Sequence, residues 1–158
     1  MPDGSDIAIC PERIVVKVVK DVDCMDISLP SYMTPGSAGM DICASVIEPV
    51  LIEPGERSLI PTGLRVAVPE GYELQIRPRS GLAVNYGIGI LNAPGTIDSD
   101  YRGEIKVILI NLGREHYTVR RGDRIAQMVL CQVSKAHLDL EESLPETTRS
   151  DGGFGHTG

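Results

Sequence analysis

Apolar positions recur along the chain in short, β-branched runs that turn-forming residues interrupt. The runs span Ile14 to Val19, Val46 to Ile52, Ser58 to Val68, Tyr72 to Ile76, Glu104 to Leu112, His116 to Val119 and Arg124 to Val133. Between them stand Glu53-Pro54-Gly55-Glu56, Pro69-Glu70-Gly71, Asn111-Leu112-Gly113 and Arg120-Arg121-Gly122-Asp123. Glycine supplies positive φ at such places, proline fixes φ, and Asn or Asp closes a local turn with its own side chain. Short strands with this punctuation predict an all-β sandwich or jelly roll. An apolar i, i+3, i+4, i+7 repeat nowhere persists for the roughly ten residues of a confident helix. Ser80 to Tyr86 is the place for one short helix.

A length of 158 residues suits one domain with a sizeable core. That body is expected over residues 13–140. Residues 1–12 read as a polar lead-in, and residues 141–158, acidic and then rich in Thr, Ser and Gly, have too few apolar groups to pack as a strand. With 17 glycines, one Phe and no Trp, the core must be aliphatic. A net charge of −7 argues against a protein that lives on nucleic acid or an anionic membrane, because binding such polymers needs a broad basic face. A small anion remains possible, since a few arginines and backbone N–H groups suffice at close range. Cys10, Cys24, Cys43 and Cys131 lack C-x-x-C or zinc-knuckle spacing and read as free, buried thiols. No apolar run approaches the roughly twenty residues of a membrane span, and Asp3 and Asp6 stand where a secretion signal would be basic. A reducing cytoplasm is the expected compartment.

Five segments carry candidate chemistry. In Arg149-Ser150-Asp151-Gly152-Gly153-Phe154-Gly155-His156-Thr157-Gly158, the glycines let backbone N–H groups approach anionic oxygens. Phe154, among glycines that offer it no core, suits stacking on a flat ligand. Pro78-Arg79-Ser80-Gly81-Leu82-Ala83 follows a strand; a helix starting at Ser80 would converge free N–H groups and the Arg79 fork on one anion, although a Ser N-cap and a solvated Arg are the plainer alternative. Asn92 to Ile105 reads as a hairpin with Asp98, Asp100 and Tyr101 near its closing strand. Ala38-Gly39-Met40-Asp41-Ile42 places Asp41 at the entry to a strand. Arg121 to Met128 is a basic turn entering a strand, whose Arg-Gly-Asp triplet is better explained as a salt-bridged turn than as an adhesion motif.

Taken in order, Ala38 to Ala44, Pro78 to Ala83, Asn92 to Ile105, Arg121 to Val129 and Arg149 to Gly158 resemble the five motifs of the trimeric dUTP diphosphatases. The resemblance implies a jelly-roll subunit of the β-clip type, a homotrimer with sites at subunit interfaces, and Mg²⁺-dependent hydrolysis of dUTP to dUMP and pyrophosphate. Such an activity lowers dUTP, limits uracil in DNA and supplies dUMP for thymidylate synthesis. The resemblance carries the water-activating base to Asp98, a role that requires a carboxylate within hydrogen-bond reach of the attacking water. It gives Arg79, Ser80 and Gly81 to the phosphate chain, Gln127 to the α-phosphate or the water, and Arg149 to the γ-phosphate. It sets Asn92 and the backbone around Thr96, Ile97 and Asp98 at the uracil edge. By the same resemblance Tyr101 would lie under the deoxyribose and exclude a 2′-hydroxyl, Lys106 would be a weaker substrate contact, and Phe154 and Gly155 would belong to the closing tail. Mg²⁺ would ride mostly on phosphate oxygens and water, with Asp41 touching it through a water. Met40 and His156 depart from the family pattern. His156 stands where Ser is usual and is expected to make tail closure pH-dependent between roughly pH 6 and 7. Two other readings are a dCTP deaminase of the same fold and a non-catalytic nucleotide-binding module; the third and fifth motifs disfavour the first and Asp98 the second.

Overall fold

A computed structural model describes residues 13–153. Ten strands and one α-helix follow in chain order: β1 (Lys17–Lys20), β2 (Gly39–Cys43), β3 (Val50–Ile52), β4 (Arg57–Ala67), β5 (Tyr72–Arg77), α1 (Ser80–Tyr86), β6 (Ile88–Ile90), β7 (Gly95–Ile97), β8 (Glu104–Asn111), β9 (Tyr117–Val119) and β10 (Arg124–Gln132). The all-β expectation holds. One four-stranded sheet has the order β1-β4-β8-β6, a second the order β2-β10-β5-β7, and β3 pairs with β9. Every pairing is antiparallel.

Alternation decides which face of each strand is buried. In β8, Ile105, Val107, Leu109 and Asn111 point inward, while Lys106 points to solvent. They meet Ile60, Leu64 and Val66 of β4, and Ile42, Leu74, Ile76, Ile125 and Met128 of the second sheet, in one shared core. Among the described residues no aromatic side chain is fully inside it, as the composition required. Pro61 interrupts β4 where the register with β8 shifts between Pro61 and Arg65. Proline has no N–H for the ladder. The neighbouring Thr62 hydroxyl compensates by donating to the Ile105 carbonyl at 2.6 Å.

Helix α1 spans the residues expected of it. It ends because Gly87 adopts φ 69°, sending its N–H back to the carbonyls of Ala83 and Leu82. The expected strand over Val46 to Ile52 shortens to Val50–Ile52, and Ile14 to Val19 shifts to Lys17–Lys20. The hairpin reading of Asn92 to Ile105 is corrected. β7 leaves β8 and pairs with β5, joining Gly95 to Ile76, Thr96 to Gln75 and Ile97 to Leu74. The antiparallel partner of β8 on that side is instead β6, with Ile90 opposite Leu109. The segment thus crosses from one sheet to the other, because β7 completes its backbone hydrogen bonds on the free edge of β5.

Among the described cysteines Cys24 is buried, as expected, whereas Cys43 and Cys131 are half-buried, and all three are free; Cys10 lies outside the described residues. Burial raises the Cys43 thiol pKa. From Val133 to Gly153 the chain forms neither helix nor strand. Among the described residues no helix is long and apolar enough to cross a membrane.

Candidate active site

Asp41 of β2 stands opposite Gln127 of β10, which in turn stands opposite Arg77 of β5. Arg79, two residues beyond β5, turns back over this sheet end. Its Nε and Nη2 donate to the two Asp41 carboxylate oxygens at 3.0 and 3.3 Å, and its Nη1 to the Arg124 carbonyl at 3.1 Å. Arg124 adds a third contact, Nη1 to Asp41 Oδ2 at 3.2 Å. A register shift between Arg124 and Ala126 re-aims the start of β10 and sets Arg124 over β2. Gln127 Nε2 donates to the Pro78 carbonyl at 2.9 Å, fixing the turn from which Arg79 departs. Gly39 makes room for it, since a β-carbon there would collide with the Gln127 amide oxygen.

Ser80 and Gly81 begin α1 and are exposed. The N-cap is Arg79 and makes no side-chain cap bond, so the alternative of Ser80 as an N-cap is set aside. Arg79, Asp41, Gln127 and the start of α1 are thereby gathered at one sheet end.

A second group lines a cavity of about 340 Å³ where β7 and β8 diverge. Asn92, Thr96, Ile97, Asp98, Tyr101 and Lys106 all border it, over an apolar floor that includes Ile76 and Val107. Asp98 is exposed, and its carbonyl accepts the Tyr101 N–H at 3.2 Å. The Tyr101 hydroxyl donates to the Glu104 carbonyl at 3.0 Å. The Glu104 carboxylate accepts the Gly63 N–H at 2.9 Å and faces Lys106 Nζ at 3.5 Å. Cavities of this size, with an apolar floor and a few polar groups on the rim, suit small ligands.

No hydrogen bond or ion pair among the described residues joins the two groups. Arg149 is brought to neither. Its Nε donates to the Gly152 carbonyl at 2.7 Å, closing a turn of its own segment. Phe154, Gly155 and His156 lie outside the described residues. Among the described residues no three His, Cys, Asp or Glu side chains gather as a metal cage. The Asp41 carboxylate, with both oxygens already held by arginines, fits a cation carried mainly by a ligand's oxygens and by water, not one bound directly by the protein. The Arg-Gly-Asp triplet is structural: Arg121 pairs with both Asp26 carboxylate oxygens at 2.9 and 2.7 Å and reaches the Ser45 carbonyl at 2.9 Å, while Asp123 accepts the Arg120 N–H at 2.7 Å.

A sequence profile of the dUTPase family matches residues 25–158. The chain belongs to the dUTPase family. It is 57% identical over 145 residues to the deoxyuridine 5′-triphosphate nucleotidohydrolase of Thermoanaerobacter sp. (strain X514), covering 92% of this chain and 98% of that one. It is 59% identical over 131 residues to that of Chlamydia pneumoniae, covering 82% and 90%. A variant dUTPase of Staphylococcus phage 80α superposes with a TM-score of 0.79 at 24% identity, over 90% of this chain and 98% of that one. Another variant of the phage enzyme, with bound dUpNHpp, gives 0.77 at 25% identity, over 91% and 98%. A variant dUTPase of phage φ11 of S. aureus, described with a structural Mg(II) ion, gives 0.73 at 23%, over 84% and 99%.

In this dUTPase-family chain the structure adds residues that the motifs alone did not single out. Arg124 was legible as a charge in a basic turn, but its contact with Asp41 depends on strands far apart in sequence. Gly39 and Gly103 bordered the acids and Tyr101 in plain view, yet their small size matters only once Gln127 and the Tyr101 ring lie against them. Glu104 carried no signal beyond its place at the head of β8.

Proposed function

We propose that this chain hydrolyses dUTP to dUMP and pyrophosphate, acting as a homotrimer of jelly-roll subunits, with Mg²⁺, in the cytoplasm. The observation that carries the reading is the cavity that has Asp98 and Tyr101 on its rim, in a chain of the dUTPase family. The uracil enters between Asn92 and the β7 backbone at Thr96 and Ile97. A pocket that pairs its polar groups with a uracil edge leaves them unpaired against cytosine, which can be worth about 10⁴-fold in discrimination. Tyr101 underlies the sugar and leaves no space for a 2′-hydroxyl, and Lys106 borders the same cavity.

The Asp98 carboxylate takes the proton of the attacking water while that water's oxygen bonds to the α-phosphorus. The bond from the α-phosphorus to the bridging oxygen breaks, and pyrophosphate departs with the electron pair. A general base supplies about 10² to 10⁴ in rate, so positioning and charge stabilisation must supply the remainder. Arg79 holds the phosphate chain with the N–H groups of Ser80 and Gly81, and Gln127 aligns the α-phosphate or the water. Arg149, Phe154 and Gly155 close over the nucleotide when the segment 141–158 folds onto the site, beside a body of residues 13–140. Mg²⁺, with Asp41 reaching it through a water, would offset phosphate charge. Sites assembled between subunits would bring together the two groups, which no bond among the described residues joins. In the cell the activity would keep uracil out of DNA and provide dUMP for thymidylate synthesis.

The test is pyrophosphate release from dUTP, UTP, dTTP and dCTP, with and without Mg²⁺, alongside ammonia release from dCTP. Pyrophosphate from dUTP alone is expected. Replacing Asp98 by Asn should abolish turnover while nucleotide still binds; a variant that turns over at near the wild-type rate removes Asp98 from this role.

A further inference from the structure

The Asp41 carboxylate occupies the fork of Arg79. Arg79 grips its two oxygens fork to fork at 3.0 and 3.3 Å, the geometry a guanidinium uses for carboxylate and phosphate alike. The pair is partly shielded, with side-chain exposures of 19% for Asp41 and 24% for Arg79. Arg124 closes the group from the other side, through Nη1 to Asp41 at 3.2 Å and through its carbonyl to Arg79 Nη1 at 3.1 Å. A polyphosphate that takes the Nε–Nη2 edge of Arg79 therefore takes it from Asp41. A carboxylate left there without a cation would be costly beside an incoming anion.

We infer that Asp41 stands in for a phosphate group between Arg79 and Arg124, and that Arg124 is a positioning residue that keeps the Asp41 carboxylate when Arg79 turns to the ligand. The inference rests on the proposed function, in which this sheet end receives the triphosphate. Polyphosphate binds by exchange. The Arg79 fork passes from a carboxylate to a phosphate, and the Asp41–Arg124 pair survives the exchange. The carboxylate sets a threshold that weak, singly charged anions do not cross.

Calorimetric titration with inorganic triphosphate in the presence of EDTA reads this directly, since it involves neither turnover nor metal. Asp41→Asn, which frees both arginines, should tighten binding about tenfold, as for one charge-assisted pair removed from competition. Arg124→Gln should weaken it about tenfold, with partial recovery in Arg124→Lys. In the Asp41→Asn background the same Arg124→Gln change should have little effect, because no carboxylate remains to be held. Unchanged or weaker binding by Asp41→Asn overturns the inference. So does an Arg124→Gln loss of equal size in both backgrounds, which would mean that Arg124 touches phosphate itself. If the wild-type chain binds no triphosphate even with Mg²⁺ added, the assignment of this sheet end to the phosphates falls, and the inference with it.

Discussion

The ring of Tyr101 lies against the α-carbon of Gly103, so closely that any β-carbon at position 103 would overlap the phenol. The Tyr101 hydroxyl meanwhile donates to the Glu104 carbonyl at 3.0 Å. Ring and strand head therefore fix each other at the cavity rim. Gly103→Ala should displace the ring and relax selection against a 2′-hydroxyl. The ratio of kcat/KM for dUTP over UTP is expected to fall about tenfold or more, the scale on which hydroxyl rejection operates. Steady-state kinetics on both nucleotides checks this, and an unaltered ratio would detach Tyr101 from sugar selection.

Gly39 plays the same part for Gln127, whose amide would be pushed aside by a β-carbon. Gln127 would then lose its 2.9 Å bond to the Pro78 carbonyl. Gly39→Ala should lower kcat by about 10- to 100-fold, as misplacements near 1 Å do. Single-turnover measurements on dUTP would show it; turnover at the wild-type rate would mean that Gln127 positions nothing.

Asn111 is fully buried and satisfied. Its Nδ2 donates to the carbonyls of Ile52 and Glu115 at 2.9 and 2.8 Å, and its Oδ1 accepts the Gly113 N–H at 2.9 Å. Asn111→Ala strands these partners and should cost about 3 kcal/mol in denaturant unfolding. Asn111→Asp, which aims a carboxylate at two carbonyl oxygens, should cost more.

The Arg121 fork holds the Asp26 carboxyl pKa below its ordinary value. A depressed folded-state pKa stabilises the fold above the unfolded-state value and loses that contribution as pH falls through the folded one. Wild-type thermal stability should therefore decline from about pH 4 downward. Asp26→Asn should remove part of that slope while changing little of the profile near neutrality. Melting curves across this range test it, and equal slopes in the two proteins would show that the pair does not contribute.

Deletion of residues 149–158 should lower kcat/KM for dUTP by about 100-fold or more, because positioning by a closing segment is lost. The melting temperature should barely move, since the chain from Val133 to Gly153 adds no strand to the sheets. A truncated protein with full activity would refute the closing role of the tail. Restoring the family's usual residue with His156→Ser should flatten the pH dependence of KM between roughly pH 6 and 7; an identical profile would set His156 aside.

Much of this protein is written locally. The β-branched runs and their Gly/Pro/Asp punctuation determined an all-β fold, because strand alternation and turn dihedrals depend on neighbouring residues alone. The bounds of α1 followed in the same way, from the absence of strand pattern over Ser80 to Tyr86 and the glycine after it. The motifs around Asp41, Arg79, Asp98 and Gln127 determined the family. Pairing was not local. The departure of β7 from β8 to the edge of β5 was decided by which strand had free backbone groups, and the runs themselves carry no record of it. The grip of Arg79 and Arg124 on Asp41, and the fit of Tyr101 over Gly103, were likewise decided only in three dimensions. Packing distance and charge proximity exist between strands that the chain order keeps apart.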